Sequence, residues 1–460
     1  MKVLHVITGL ETGGAEQQLR LLLRRLPAQC EVVTLTVPQG LKGRGGGAPS
    51  GSWGSAPTGP VADGIRADGT PVTHLGMTNN RDLRALPRLT RLIRDGGYDL
   101  VHTHLYRACV YGRIAARLAG VRAVVATEHS LGDAVIEGRR LTRGVRTLYR
   151  ATERLGSATV AVSDTVAARL RRWGVPEPRI HVVPSGIEAH RFRHDPLVRS
   201  AVRTRLGIPV DAFVVGGVGR LVPAKRFDVL VRAVTQLSGV HLLLAGEGPE
   251  REMLRTMAGQ FGSGDRIHLL GAVGRADHAP AAAAESTGKG PGRGPDKVPD
   301  IPGLLAAMDV FVSPSQDEAF GLAVLEALAA GLHVLYGSCP AVDELPAEQA
   351  PGARRISPVV HELATALREL RRVGPGRLPV PPVVQRYDIA RSAESLMSVY
   401  ETAVAAAPGR RTSRRQAPQG RPAADTPAPR TAEPAPPQVT LPEPARSPAP
   451  SPGGHSLSKR

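Results

Sequence analysis

Two carboxylates, Glu318 and Glu326, stand in the segment SPSQDEAFGLAVLEALAAG with seven residues between them. The first falls in the loop after an apolar strand-like run. The second lies one to two turns into a helix that starts near Gly321. In an open α/β sheet, ligands bind where such loops leave the carboxyl ends of the strands. The free N–H groups at the helix start favour a phosphate there. A carboxylate just outside the helix can accept sugar hydroxyls, and one on the helix can accept ribose hydroxyls. The plainer reading of Glu326 is a solvated helix residue. Its neighbours Val324, Leu325, Ala327 and Leu328 are all apolar, so a carboxylate among them needs a partner.

A cationic pair comes next, in GVGRLVPAKRFDVL. Arg220 ends a strand and Lys225 precedes a helix. Together they can clamp a diphosphate, Arg as a fork and Lys as a point charge. Two surface cations on a basic chain is the other reading. Gly217 and Gly219 do not complete the dinucleotide fingerprint. In TGLETGGAE, Gly13 and Gly14 either let backbone approach a phosphate at a helix start or form a tight turn with no ligand. His129 follows one strand, and His102 and His104 follow another. A loop histidine on its own is more often structural. No carboxylate pattern accompanies the three, and no Asp-x-Asp occurs, so no metal is expected.

These residues need a scaffold, and the hydrophobic pattern supplies one. Lys2–Thr8 reads as a strand, Gly9–Gly14 as a turn, and AEQQLRLLLRRL as a helix with Leu19, Leu22, Leu23 and Leu26 on one face. Strand and helix readings then alternate, as in a parallel sheet. They include a helix over 83–95, the strands DLVHTH and AVVATEH, and a basic helix over 139–155. A second unit starts near Pro209 with AFVVGGVGRL and runs to a helix over 360–372. The linker between the units is read at 186–208. Periodicity returns over 389–404. Residues 39–70 and 274–299 read as flexible insertions, and the Pro/Arg/Ala-rich stretch 406–460 as a disordered tail.

The chain has 460 residues and a formal charge of +18, enough length for two domains. Nine Arg or Lys against three Asp or Glu fall in residues 408–460, so a third of the net charge sits in the tail. Aromatics are only 3% and do not interleave with the cations. A stacking platform for nucleic acid is therefore not expected, and anionic sugar nucleotides or membrane surfaces fit better. Three separated cysteines argue against a disulfide framework and for a reducing, cytoplasmic setting. No run has the length of a membrane span. Arg139, Arg140, Arg143, Arg146, Arg150 and Arg154 suggest peripheral contact with an anionic inner membrane face, or a solvated charged face.

GRLVPAKRFDVL, AGEGPE, DVFVSPSQDEAFGLAVLEALAAG, VVPSGIE and the early GGAE resemble family 4 (group 1) retaining glycosyltransferases, over roughly residues 1–405. The resemblance implies a GT-B fold: two Rossmann-like α/β domains facing a cleft. It implies an acceptor-side domain at 1–190, a nucleotide-sugar donor domain at 191–385, and a helix at 386–405 crossing back. It implies that Arg220 and Lys225 bind the donor diphosphate with the backbone of Gly321 and Leu322, and with Gly13 and Gly14 across the cleft. Glu326 would hold the ribose, Glu318 the transferred sugar, and His129 would approach that sugar from the acceptor side. A hexosyltransferase-like enzyme of polysaccharide biosynthesis follows, acting with retention, without metal or cofactor. Its acceptor would be a glycan, a lipid-linked carrier or a small molecule. The sequence departs from the family at GLHV, with His333, and at YGSCPAVDEL, where a Gly-Gly pair is missing. That change narrows the expected sugar pocket and motivates a second reading, a weakly active or inactive transferase-like scaffold. A nicotinamide-dependent oxidoreductase is a third reading, carried only by the two Rossmann-like units.

Overall fold

Apolar runs of four to eight residues with helical segments between them can only be buried as parallel strands covered on both faces, and the chain builds two such sheets. The computed structural model describes residues 1–11, 13–36, 59–77, 82–132, 135–136, 139–274, 300–374 and 376–407. The first half contains β1 (Lys2–Ile7), α1 (Gly14–Leu23), β2 (Gln29–Thr36), α2 (Pro60–Ala67), β3 (Val72–Met77), α3 (Ala85–Gly96), β4 (Leu100–His104) and α4 (Tyr106–Leu118). It continues with β5 (Ala123–Glu128), β6 (Val135–Ile136), β7 (Arg139–Arg140), α5 (Arg143–Glu153), β8 (Ala158–Ala161), α6 (Asp164–Trp173) and β9 (Ile180–Val182). Seven of these strands pair in the order β3-β2-β1-β4-β5-β8-β9, all parallel.

The second half adds α7 (Pro196–Arg205), β10 (Phe213–Val218), α8 (Phe227–Thr235), β11 (Val240–Ala245), α9 (Arg251–Gln260) and β12 (Ile267–Gly271). Then come α10 (Ile301–Ala307), β13 (Val310–Ser313), α11 (Leu322–Ala329), β14 (His333–Tyr336), α12 (Pro340–Asp343), β15 (Ala353–Arg355), α13 (Val360–Val373), α14 (Pro382–Arg386) and α15 (Ile389–Ala405). Its six strands run β12-β11-β10-β13-β14-β15. In both sheets the sequence order reverses beside the first strand, between β1 and β4 and between β10 and β13. Such reversal points open a crevice at the carboxyl ends.

Three expectations change. The insertion read at 39–70 holds a helix, α2, with Pro at its first turn. It buries Val61, Ala62 and Ile65 against Leu10, Leu19 and Val32, and so belongs to the core. Pro at N1 is a helix-start signal that the surrounding Gly-rich composition obscured. The basic helix starts at Arg143, because Arg139 and Arg140 pair with Val135–Ile136 in a short antiparallel ladder. The linker read at 186–208 carries α7, whose Arg199 and Arg203 both reach Asp309 at 2.6 and 2.8 Å. Residues 37–58, 275–299 and 408–460, which hold most of both insertions and the tail, lie outside the described residues.

The two chain crossings between the halves run side by side. Ile187 N donates to Tyr387 O at 2.9 Å, and Ile389 N donates to Ile187 O at 3.1 Å. Beyond that point α15 lies on the first sheet, with Ile389, Ala393, Leu396 and Tyr400 packed among Val3, Leu100 and Val125.

Candidate functional site

The crevice between β10 and β13 collects the donor-side residues. Arg220 follows β10 and is exposed. Lys225 sits in a 3-10 turn, Pro223–Lys225, just before α8. The loop after β13 carries Glu318, and Ser315 Oγ ties the two loops by donating to Ala224 O at 3.0 Å. Lys225 Nζ donates to Glu318 Oε1, with side chains 25% and 14% exposed. The two residues expected separately at diphosphate and sugar therefore hold each other.

Gly321 is the N-cap of α11 with φ 104°, a conformation that favours glycine. A side chain there would also run into the Cys339 thiol. Gly321 supplies no side-chain cap to the first N–H groups of α11. Glu326 follows on α11 and is only 4% exposed, so it is not a solvated helix residue.

The first lobe meets this point. Gly13 caps α1 in extended backbone, and a carbon added at Gly14 would stand 3.8 Å from Leu322 Cδ1. The N-terminal turns of α1 and α11 are thus apposed, which brings Gly13, Gly14, Gly321 and Leu322 together.

His129, just past β5, is bound to His104, with Nε2 and Nδ1 3.1 Å apart. His104 Nε2 is in turn 3.1 Å from His5 Nδ1. His102 lies between Tyr400 Oη at 2.6 Å and Thr127 Oγ1 at 2.7 Å. Burial pushes the imidazolium form of His5 down to about 3 and of His129 to about 4. It holds His102 and His104 well below the usual range. His5, His102 and His104 bring a nitrogen each within 4.8 Å of one another. Five of their six ring nitrogens are already in hydrogen bonds.

Several positioning contacts were not legible locally. Glu344 accepts from Asp164 N at 3.1 Å, Thr165 N at 2.7 Å and Thr165 Oγ1 at 2.8 Å, capping α6 from the other lobe. Ser163 Oγ donates to Ala319 O at 2.7 Å, and Arg169 pairs with Asp317 at 2.5 Å. The last two contacts clamp α6 to the loop around Glu318, and Glu344 ties it to the end of α12. Gly246 approaches the backbone of Gly219 so closely that a side chain would collide, and Gly219 N donates to Ala245 O at 3.0 Å. The AGEGPE run thereby braces the loop that carries Arg220. The departing segment YGSCPAVDEL sits behind the Glu318 loop, where Ala341 N donates to Phe320 O at 3.0 Å.

This arrangement can be set against known proteins. The profile described as Glycosyltransferase Family 4 matches residues 12–191. Profiles described as Glycosyl transferases group 1 match residues 198–281 and 293–372. The chain belongs to the family 4, group 1 glycosyltransferases. It is 31% identical over 276 residues to D-inositol 3-phosphate glycosyltransferase of Acidothermus cellulolyticus, covering 55% of this chain and 54% of that one. The Catenulispora acidiphila relative, D-inositol 3-phosphate glycosyltransferase 1, is 30% identical over 58% and 64%. The chain thus spans about half to two-thirds of the length of these curated relatives. Anabaena Alr3699/HepE, solved with UDP and glucose, superposes with a TM-score of 0.68 at 20% identity, over 87% of this chain and 100% of that one. WaaG, a glycosyltransferase involved in lipopolysaccharide biosynthesis, gives 0.55 at 17% identity, over 88% and 98%. At these identities the likeness concerns the fold, which is GT-B. Among the described residues no helix is long and apolar enough to cross a membrane.

Proposed function

We propose that this family 4 chain transfers a sugar from a nucleotide diphosphate sugar to a hydroxyl acceptor, with retention of anomeric configuration and without a metal. The observation that carries the reading is that the loops of Lys225 and Glu318 meet beside the start of α11, with Gly14 opposite Leu322; Arg220 follows β10 on the first of these loops and Glu326 lies further along α11. Arg220, Lys225 and the open turn of α11 supply the positive charge a diphosphate needs. Glu326, buried on α11, is suited to a ribose hydroxyl pair. Glu318 exchanges Lys225 for sugar hydroxyls as the donor enters, and His129 meets the sugar from the other lobe. With the phosphates neutralised, the departing phosphate oxygen takes the acceptor proton while the acceptor oxygen attacks from the same face. No protein base is then required.

The names of the curated relatives make a phosphorylated polyol the first acceptor to try, ahead of a glycan or lipid-linked carrier. Peripheral membrane contact through α5, where Leu148 is 46% exposed, and a cytoplasmic location belong to the same proposal. The test is a thermal-shift screen with UDP, GDP, ADP and TDP and their sugars, without metal, beside Arg220→Ala and Glu326→Ala. A nucleotide that binds the native state raises the melting temperature by linkage. A shift with one nucleotide, lost in both variants, supports the reading. Absence of any shift in the folded protein turns the assignment toward a scaffold.

A further inference from the structure

The fold places four imidazoles in one connected group. His5 and His102 are register partners on β1 and β4, and His104 pairs with Thr127 of β5. His102 and His104 share a face by the two-residue repeat of a strand, and Tyr400 of α15 meets that face. His129, just past β5, continues the group. Its Nδ1 has no hydrogen-bond partner among the described residues and, unlike His5 Nε2, is not a buried orphan; His129 is only half-buried. We infer that His5 and His104 fix His129 in a single neutral tautomer with its proton on Nδ1, so that His129 meets the bound sugar as a hydrogen-bond donor.

The argument is one of proton counting. A neutral imidazole carries one proton and so donates through one nitrogen and accepts through the other. His104 is bound at both nitrogens, so its two bonds must run in the same sense. In one sense His5 Nδ1 donates to His104 Nε2, and His104 Nδ1 donates to His129 Nε2. The proton of His129 then lies on Nδ1, the nitrogen outside the series. In the other sense His5 must carry its proton on Nε2, which is buried with no partner. Orphaned buried N–H groups are rarer than under-used acceptors, which selects the first sense. His102 does not oppose it, because the hydroxyls of Tyr400 and Thr127 serve either tautomer. The groups facing the series are hydroxyls and imidazoles. The adjacent Glu128 is engaged elsewhere, by Tyr149 Oη at 2.7 Å and Cys109 Sγ at 3.5 Å. An added proton would therefore meet no carboxylate, and burial keeps the series neutral. His104 and His5 are positioning residues. That His129 touches sugar rests on the function proposed above, whereas its tautomer does not.

The experiment uses the full chain labelled with 15N-histidine, with long-range proton–nitrogen correlation and His129→Gln to assign the signal. The expected result is a protonated Nδ1 on His129 and no titration above about pH 5. In His104→Phe the tautomers should mix while the midpoint stays low, because burial and not His104 depresses it. His5→Leu should also mix the tautomers, while His5→Gln, which restores a donor, should not. The His5 pair carries the test if His104→Phe does not fold. A protonated Nε2 on wild-type His129, or an unchanged tautomer in both His104→Phe and His5→Leu, overturns the inference. So does a stoichiometric divalent metal that shifts the His5, His102 and His104 signals. These readouts need no turnover, so they stand if nucleotide binding fails. Where transfer is measurable, His104→Phe should lower kcat about ten-fold with donor KM unchanged, the size expected for a misplaced transition-state donor. A rise in KM at constant kcat would count against it.

Discussion

The Lys225–Glu318 pair makes opposite demands on its two members, and this gives a sharp test. Two unit charges at about 4 Å and an effective dielectric near 20 attract by roughly 4 kcal/mol. Exposed pairs retain only about 0–1 kcal/mol net. This pair, with side chains 25% and 14% exposed, falls between those limits, so Lys225 forfeits about 1–2 kcal/mol when a diphosphate draws it away. Glu318→Gln removes that competition and should tighten a free nucleoside diphosphate about five-fold, roughly 1 kcal/mol. Lys225→Met removes the cation and leaves the carboxylate facing the phosphates. Binding should weaken by about 2–3 kcal/mol, or roughly 30- to 150-fold. Titration calorimetry with UDP, GDP and ADP, without metal, measures both. With the complete sugar nucleotide the advantage of Glu318→Gln should vanish, because the sugar loses its charged acceptor. If Glu318→Gln weakens the free diphosphate as much as Lys225→Met does, the two act as one phosphate-binding unit and the division of roles is wrong.

Further expectations concern the frame of the site. Gly321→Ala forces a side chain to φ 104° at about 1–2 kcal/mol and drives it into Cys339. In a Cys339→Ala background about 1 kcal/mol should be recovered in a double-mutant cycle, and strict additivity of the unfolding free energies would reject the contact. Arg203 and Asp309 form a pair 1% and 2% exposed, and Asp309 also accepts from Val214 N at 2.8 Å. Asp309→Ala should cost about 3–5 kcal/mol by urea unfolding; a loss under about 1 kcal/mol would mean the arginines find other partners. The buried imidazoles set the acid response. Their native pKa values lie below the unfolded value near 6.5, so the unfolded chain binds more protons below that pH. Stability should be flat above about pH 7.5 and fall from there toward pH 4, with a slope up to about 1.4 kcal/mol per pH unit for each imidazole. A urea midpoint unchanged between pH 8 and 5 would show that the four histidines are not buried neutral.

The parts of this fold that could be read from sequence are those whose burial is total. β5 is buried along its whole length and opens as the apolar run Ala123–Ala126, β4 announces itself only by Leu100–Val101 before three buried polar residues, and Glu326 could be suspected of burial from four apolar neighbours. α2 was hidden because it is short and follows a Gly-rich stretch. Its Pro60 start and the spacing of Val61, Ala62 and Ile65 were the available signals. His5 was equally visible as a polar residue inside KVLHVI, a placement that calls for a buried partner. What no local pattern contained is the pairing that assembles the two lobes. Ser163 meets Ala319 across 156 residues, and Thr165 meets Glu344 across 179. SDT at 163–165 announces a helix start, but nothing nearby says that its cap comes from the other lobe. The same distance explains why the missing glycine pair was hard to judge. In isolation Pro340–Ala341 suggested a narrowed pocket. In the fold this segment supports the Glu318 loop through Ala341 N, while Glu344, three residues on, holds α6. A segment that both braces the Glu318 loop and grips α6 of the first lobe constrains backbone placement more than side-chain volume, so a rigid Pro there fits a support for the loop rather than a plug in a pocket.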